Sequence, residues 1–368
     1  PKGVRYTHGI FYHQLQQIRD YYGIGPEDID QPGFPLFGLF ATALGAAAVI
    51  PDMDPTRPAE LDPVKFIRSI QDKQVSYSFG SPAIWNVVSL YCIEQDITLP
   101  VRKILMAGAP VPGELIERVQ RIMPEDGEIH TPYGATESLP STSITGREIL
   151  KDTWDQTRIG KGTCVGRSLP EMRVEIIKPV DGPLSDWSEA EVLSTGIIGE
   201  IAVKGPVVTP AYDHNEKETR MAKILDAEDG GLWHRMGDMG YLDEQGRLWF
   251  CGRKAHQVLT ENGPMYTICC EAVFNEHPEV FRSALVGLGE AGKQQPVLTV
   301  ELYAEKPKNA ERLCAELREL ARANPLTNTI ETFMIFSVFP VDIRHNAKIF
   351  REKLAVWAQQ RMDCGQGL

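Results

Sequence analysis

Apolar runs alternate with helical patterns from residue 9 to about residue 170. Val75–Phe79 and Lys103–Gly108 are short, largely apolar runs bounded by turn residues and predict strands. Gly9–Tyr22, Pro82–Gln95 and Pro112–Met123 predict helices. Such βα alternation implies a mainly parallel, buried sheet. Leu36–Ile50, the longest apolar stretch, lies between Pro35 and Pro51. It reads as a buried helix running into a strand and is too short to span a bilayer. The pattern changes after Pro170. Met172–Ile177, Gly199–Val203 and Arg247–Phe250 are short alternating runs between Gly and Pro turns, predicting a small antiparallel β unit. From about residue 254, strand and helix alternate through Ala284–Leu288, Val297–Ala304, Asn309–Ala323 and Glu331–Val338, before a last helix over Ile349–Met362. The expected class is therefore α/β, with residues 1–253 in a large domain (1–170 α/β, 171–253 a small β unit) and residues 254–368 in a smaller α+β lid.

Composition narrows the partners. Fifty Asp and Glu against 38 Lys and Arg give a formal charge of −12 over 368 residues. That balance argues against nucleic acid or an anionic membrane as the main partner. Seven scattered cysteines without a C-x-x-C pair suggest reduced thiols in a cytoplasmic protein, not disulfides or a zinc site. The chain opens Pro-Lys-Gly-Val with no initiator Met, no cap and no leading strand, as the middle of a longer protein would.

Four segments carry candidate chemistry. His130-Thr-Pro-Tyr-Gly-Ala-Thr-Glu137 sets a hydroxyl beside a carboxylate, suited to phosphate oxygens and to Mg²⁺, a hard cation that prefers oxygen ligands. A plain turn is the competing reading. Gly237-Asp-Met-Gly-Tyr-Leu-Asp243 suggests a tight turn presenting one carboxylate, suited to paired ribose hydroxyls, with Arg253 one strand later; a surface-charged hairpin explains it equally well. Ala107-Gly-Ala-Pro110 joins a strand to a helix, where small residues admit a flat ring or simply make a turn. Lys348, just before the last helix, would by itself be a solvated lysine.

In this order, with Pro1-Lys-Gly3, Gly199-Glu-Ile201 and Gly205-Pro-Val207, the segments resemble the acyl-adenylate-forming enzymes: acyl-CoA synthetases, luciferases and nonribosomal adenylation domains. The resemblance covers essentially the whole chain. It implies ATP and Mg²⁺, with Pro-Lys-Gly as the end of a phosphate loop whose larger part, and the domain before it, lie upstream. By resemblance, Tyr133 stacks on adenine beside Gly134, Thr136 touches the α-phosphate and Glu137 holds Mg²⁺. Asp238 and Arg253 bind the ribose hydroxyls, Gly108, Ala109 and Pro110 line the adenine slot, and Lys2 is the phosphate-loop remnant. Lys348 would reach the acyl-phosphate oxygens, a preorganised cation facing developing charge.

The departures are localised. The hinge, where the family carries an acidic residue, reads Gly252-Arg-Lys-Ala-His256, and the Gly-rich stretch used by CoA ligases reads Glu261–Thr267. The Pro of the following Pro-x-Glu is missing although Glu271 remains, Ala347 replaces a Gly, and Pro35 stands near where the acyl-pocket His is expected. Adenylation is therefore the safer part of the resemblance, and thioesterification the weaker.

Val49–Ala59, Phe339–Lys348 and Arg351–Trp357 look like the olefin β-lactone synthetases of bacterial long-chain hydrocarbon synthesis. That group implies a 2-alkyl-3-hydroxy fatty acid, activated as its adenylate and closed to a β-lactone by its own 3-hydroxyl. A tethered nucleophile has a high effective molarity and needs no second substrate. It also implies possible assembly with the pathway's β-lactone decarboxylase and β-keto acid reductase. His345 and His256 have the chemistry to take the hydroxyl proton, a structural role being the other reading of each. The alternatives are a long-chain fatty acyl-CoA ligase or fatty acyl-AMP ligase and, of another class, a non-catalytic nucleotide-binding scaffold.

Overall fold

The computed structural model describes residues 2–304, 307, 309–342 and 349–363. Five short strands run parallel in the order β2-β1-β3-β4-β5: β1 (Ile29–Asp30), β2 (Ala47–Ala48), β3 (Tyr77–Gly80), β4 (Lys103–Met106) and β5 (Glu128–Ala135). β6 (Ser138–Thr145) turns back antiparallel to β5, and β7 (Thr163–Ser168) lies antiparallel to β6. β8 (Arg173–Ile177), β9 (Gly199–Lys204), β10 (Lys223–Asp226), β11 (Gly231–Leu242) and β12 (Leu248–Arg253) are antiparallel. Because β12 pairs with β7, the parallel and antiparallel halves form one sheet of 12 strands.

The helices of the parallel half start where their caps dictate. Asp62 accepts hydrogen bonds from the Val64 and Lys65 amides ahead of the Pro63–Lys73 helix, and Ser81 accepts from Ile84 ahead of Pro82–Glu94. Both helices begin with proline, whose missing N–H costs nothing in the first turn. With Gly113–Arg121 they cover one face of the sheet, burying Phe66, Trp85 and Ile116 against Ile104, Met106 and Ile129. The His8–Tyr22 helix lies over the other face. Its start, read in the sequence as uncapped, is capped by Thr7, whose Oγ1 accepts from the Ile10 amide at 3.2 Å.

The stretch Leu36–Ile50 departs from expectation. It forms a turn of 3₁₀ helix (Pro35–Phe37), a six-residue helix (Gly38–Ala43) and the short β2. Gly38 and Ala41 take the buried side, leaving Leu36, Leu39 and Ile50 exposed.

Past residue 254 come the hairpin β13 (Val258–Thr260) and β14 (Gly263–Met265), then the Thr267–Asn275 helix. β15 (Val280–Leu288) pairs antiparallel with β16 (Gln295–Leu302), which pairs parallel with β17 (Thr332–Ile335). Two strands therefore follow each other where alternation with helices was expected. The Thr267–Asn275 helix escaped the periodicity because Cys269, Cys270, Val273 and Phe274 bury it on several sides. Phe274, Leu285, Leu298, Leu313, Leu317 and Phe333 form this unit's core. Cys92, Cys164, Cys251, Cys269, Cys270 and Cys314 are free and buried. Among the described residues, no helix is long and apolar enough to cross a membrane.

Candidate active site

β5 delivers Tyr133, and β11 and β12 deliver its partners. The Tyr133 hydroxyl donates to Asp238 Oδ2 at 2.6 Å. Asp238 and Arg253 are cross-strand neighbours, and an Arg253 guanidinium nitrogen lies 2.9 Å from Asp238 Oδ1. The expected tight turn at Gly237–Asp238 is not one. Asp238 lies inside the 12-residue strand β11, at a break in register that falls between Arg235 and Met239 on the β9 side. Gly237, at φ 65°, supplies the left-handed residue that such an irregularity needs. The competing picture of a surface-charged hairpin fits the connectivity but not the burial, since Asp238 is 3% exposed. Burial raises its carboxyl to about 6, against the lowering effects of Arg253 and the Tyr133 hydroxyl. Oδ1 is buried and accepts no aligned hydrogen bond from the described residues. Paired with the Arg253 guanidinium, this oxygen keeps lone-pair capacity for a further donor, which suits the ribose hydroxyls expected there.

Glu137 sits at the turn into β6 in a second cluster. Its Oε1 accepts from the Tyr212 hydroxyl at 2.6 Å, and its carbonyl accepts from the Thr209 amide at 2.9 Å and the Thr209 hydroxyl at 3.2 Å. Burial pushes Tyr212 well above its usual value, and Glu137 adds to it. Lys223 Nζ lies 3.3 Å from Thr209 Oγ1, and burial pulls this lysine down to about 8. Lys2 pairs with Glu218 and sits over the Tyr212 ring at 5.1 Å. Tyr212, Thr209 and Lys223 belong to no motif that the sequence offered. A lysine heading an apolar strand, as Lys223 heads β10, was the only local signal.

Thr136 is exposed, and its carbonyl accepts from the Tyr6 hydroxyl at 3.1 Å. A side chain at Gly134 would collide with the Ser138 carbonyl, so glycine lets β5 and β6 close here. Gly108, at φ 96°, Ala109 and Pro110 follow β4 beside β5, and Ala107 donates to the Gly80 carbonyl at 3.2 Å. The structure therefore brings Tyr133, Asp238 and Arg253 into one node, and Glu137 and Lys2 into another through Tyr212. Lys348 and His345 lie outside the described residues. His256 occupies a 3₁₀ turn after β12, where Lys254 Nζ is 2.6 Å from the Val180 carbonyl and 3.1 Å from Glu200. Glu271 is clasped by Arg351 at 2.7 and 2.6 Å and accepts from the Leu285 amide at 2.8 Å. That surviving residue of the altered Pro-x-Glu stretch ties the Thr267–Asn275 helix to the last one.

A small apolar cavity of about 40 Å³, partly open to solvent, adjoins the turn. Pro132, Leu139 and Pro140, which flank Tyr133–Glu137, form one end. Ile18, Phe37 and Phe79 form its walls. Among the described residues no group of three His, Cys, Asp or Glu could enclose a metal. The donor set suits Mg²⁺ held by one carboxylate, Glu137, and completed by phosphate oxygens and water, the usual arrangement for that ion.

Comparison with known proteins places these features in context. The family model described as AMP-binding enzyme matches residues 1–213. The chain is 47% identical over 369 residues to the olefin beta-lactone synthetase of Xanthomonas campestris pv. campestris, covering 98% of the chain and 65% of that protein. It is also 47% identical to the olefin beta-lactone synthetase of Stenotrophomonas maltophilia, again over 65% of its length. A long-chain-fatty-acid–CoA ligase of Thermus thermophilus is 25% identical over 313 residues, covering 83% of the chain and 55% of the ligase. The fold is that of O-succinylbenzoate coenzyme A synthetase from Bacillus subtilis in complex with AMP, with TM-score 0.75 and 22% identity over 96% of this chain and 66% of that one. The amide bond synthetase McbA from Marinactinospora thermotolerans shares it at TM-score 0.74 and 22% identity, over 97% and 67% of the two chains.

Proposed function

The chain belongs to the AMP-binding enzyme family, and on that premise we propose that it activates a 2-alkyl-3-hydroxy fatty acid with ATP and closes the adenylate to a β-lactone. The observation that carries this reading is the Tyr133–Asp238–Arg253 node set beside an apolar cavity. The two relatives named olefin beta-lactone synthetase support the choice of product. The chain spans 65% of their length, so the whole protein's activity is carried over as a proposal.

In this reading Asp238 accepts from the ribose hydroxyls, Arg253 keeps it ionised, and Tyr133 faces adenine next to Gly108–Pro110. Thr136 and Lys2 meet the phosphates. Mg²⁺, held by Glu137, would neutralise phosphate charge during adenylation. The apolar lining around Ile18, Phe37 and Phe79 marks the side on which the alkyl chains lie, with the carboxylate at the Leu139 end near Thr136. Attack of the 3-hydroxyl oxygen on the activated carbonyl then forms the ring C–O bond and breaks the carbonyl–phosphate bond, releasing AMP and a proton. Assembly with a β-lactone decarboxylase and a β-keto acid reductase belongs to the same proposal.

The test is AMP release from a 3-hydroxy acid and from a matched acid lacking the hydroxyl, each with and without CoA. Lactone detected by NMR, with AMP formed one for one and independently of CoA, is expected; the matched acid should stall or hydrolyse slowly. Stimulation by CoA with a thioester product would instead establish the acyl-CoA ligase. Stable release of adenylate from both acids would establish an acyl-AMP ligase, and nucleotide binding without turnover the scaffold. Lys348→Ala should slow adenylate formation by about 10²–10³-fold while leaving AMP affinity nearly unchanged, as expected of a cation that acts on transition-state charge.

A further inference from the structure

The mostly apolar walls of the cavity include three buried polar atoms without a hydrogen-bond partner among the described residues, Gln14 Oε1, the Tyr22 hydroxyl and Asp30 Oδ1, and only the last belongs to an acid. Asp30 lies on β1, is 1% exposed, and lines the cavity beside Tyr77 and Tyr22. Its Oδ1 has no hydrogen-bond partner among the described residues. The Tyr77 hydroxyl and the Phe79 backbone amide hydrogen-bond to the carboxyl group, yet burial outweighs both and lifts it to about 8. Asp30 is therefore a neutral acid at physiological pH, with one oxygen facing an apolar space.

Register fixes its depth. Asp30 pairs with Tyr77, Tyr77 with Lys103, and Lys103 with Glu128. Asp30 is thus level with Glu128, at the opposite end of the cavity from Pro132 and Leu139. The separation is three strand spacings across and four residues along the strand, roughly 14 Å by roughly 13 Å. A long alkyl chain that entered at the Leu139 end and followed the cavity lining would point its terminus toward Asp30. Gln14, nearer the Leu139 end, donates through Nε2 to the Leu139 carbonyl at 2.7 Å and the Tyr6 hydroxyl at 3.2 Å, while its Oε1 is buried without a partner among the described residues.

We propose that Asp30, backed by Tyr77, is the specificity-determining floor of the acyl cavity, setting the chain length accepted and favouring a hydrogen-bond donor at the chain's end. The inference rests on the acid-activating reading of the site. An apolar terminus pressed against the Asp30 carboxyl displaces water and leaves a buried acceptor unpaired, which is unfavourable. A terminal hydroxyl at the same depth donates to Oδ1 and removes that loss. Shorter chains never reach the floor and are indifferent to it.

The test measures calorimetric binding of straight-chain saturated acids of increasing length, and of their ω-hydroxy counterparts, to the wild type, Asp30→Leu and Tyr77→Phe. Wild-type affinity should climb with length to a break and then fall. At the break the ω-hydroxy acid should bind about tenfold better than its methyl-ended partner, the return on one hydrogen bond to a buried acceptor. Asp30→Leu should move the break to longer acids and abolish the ω-hydroxy preference. Tyr77→Phe should reduce that preference several-fold without changing the affinity of short acids, which keeps the floor testable should Asp30→Leu fail to fold. A folded Asp30→Leu with the wild-type break and preference, or in its absence a Tyr77→Phe indistinguishable from wild type, overturns the floor alone. Wild type that binds no acid of any length overturns the acid-activating reading and the floor together.

Discussion

Asp238 and Asp30 are buried carboxyl groups on strands of the same sheet, and burial raises both, yet their surroundings leave them in different states. Asp238 has a guanidinium on the neighbouring strand and a phenol pointing at it, so its carboxyl comes to rest near 6 and is ionised at neutral pH. Asp30 has Tyr77 and the Phe79 backbone beside it but no cation among the described residues acting on it, and at about 8 it stays protonated. Desolvation disfavours the charged form in both places, and a nearby opposite charge recovers it in only one. The node with Arg253 is built for a polar ligand, and the cavity with Asp30 for a chain.

The largest effect expected from this contrast is on stability. Asp30 binds a proton in the folded protein but loses it in the unfolded chain between about pH 4 and pH 8, so its contribution to stability falls as pH rises through that window and levels off above it. Relative to the wild type, Asp30→Asn should therefore gain up to about 5 kcal/mol between those limits, near 1.4 kcal/mol per pH unit. Urea unfolding of both proteins from pH 4 to 9 checks this. Parallel curves would mean that Asp30 is ionised in the fold and that the two carboxyls do not differ.

A smaller effect is expected at the node. Asp238→Asn should weaken adenosine binding by about 10–100-fold, the range for a hydrogen bond to a charged acceptor. Wild-type affinity should also fall as pH drops through about 6, where Asp238 takes up a proton, while the variant's stays flat. Adenosine is the probe because it has no phosphate of its own to titrate. A pH-independent wild type would remove Asp238 from the ribose contact. The smallest effect is expected from Tyr133→Phe, which removes the donor to Asp238 Oδ2. It should weaken adenosine binding a few-fold and shift that pH dependence upward, since an opposing hydrogen bond no longer holds the carboxyl down.

Much of the frame was legible along the chain. The strands at Tyr77–Gly80 and Lys103–Met106, and the helices at Pro82–Glu94 and Gly113–Arg121, fall where periodicity and Pro starts predict them. Asp238, Arg253, Tyr133 and Glu137 were singled out because each sits in a short motif with a chemical reason for its residue types. Where the reading failed, the cause was a contact between distant segments. Thr7 is a cap only because the helix after it forms, and Asp238 is buried in a strand only because a left-handed Gly237 breaks the register there.

By itself, the sequence determined the parallel βα half, the antiparallel unit after Pro170 and the ordered polar motifs, because local periodicity, turn chemistry and residue type are properties of neighbours in the chain. The tertiary structure alone decided which of those groups meet and in what state. Tyr212 reaches Glu137 across 75 residues, Tyr133 reaches Asp238 across 105, and no spacing along the chain encodes either contact. Asp30 looks like any other aspartate in the sequence; only the low-dielectric cavity closed around it by β1, β3 and the His8–Tyr22 helix keeps its proton on.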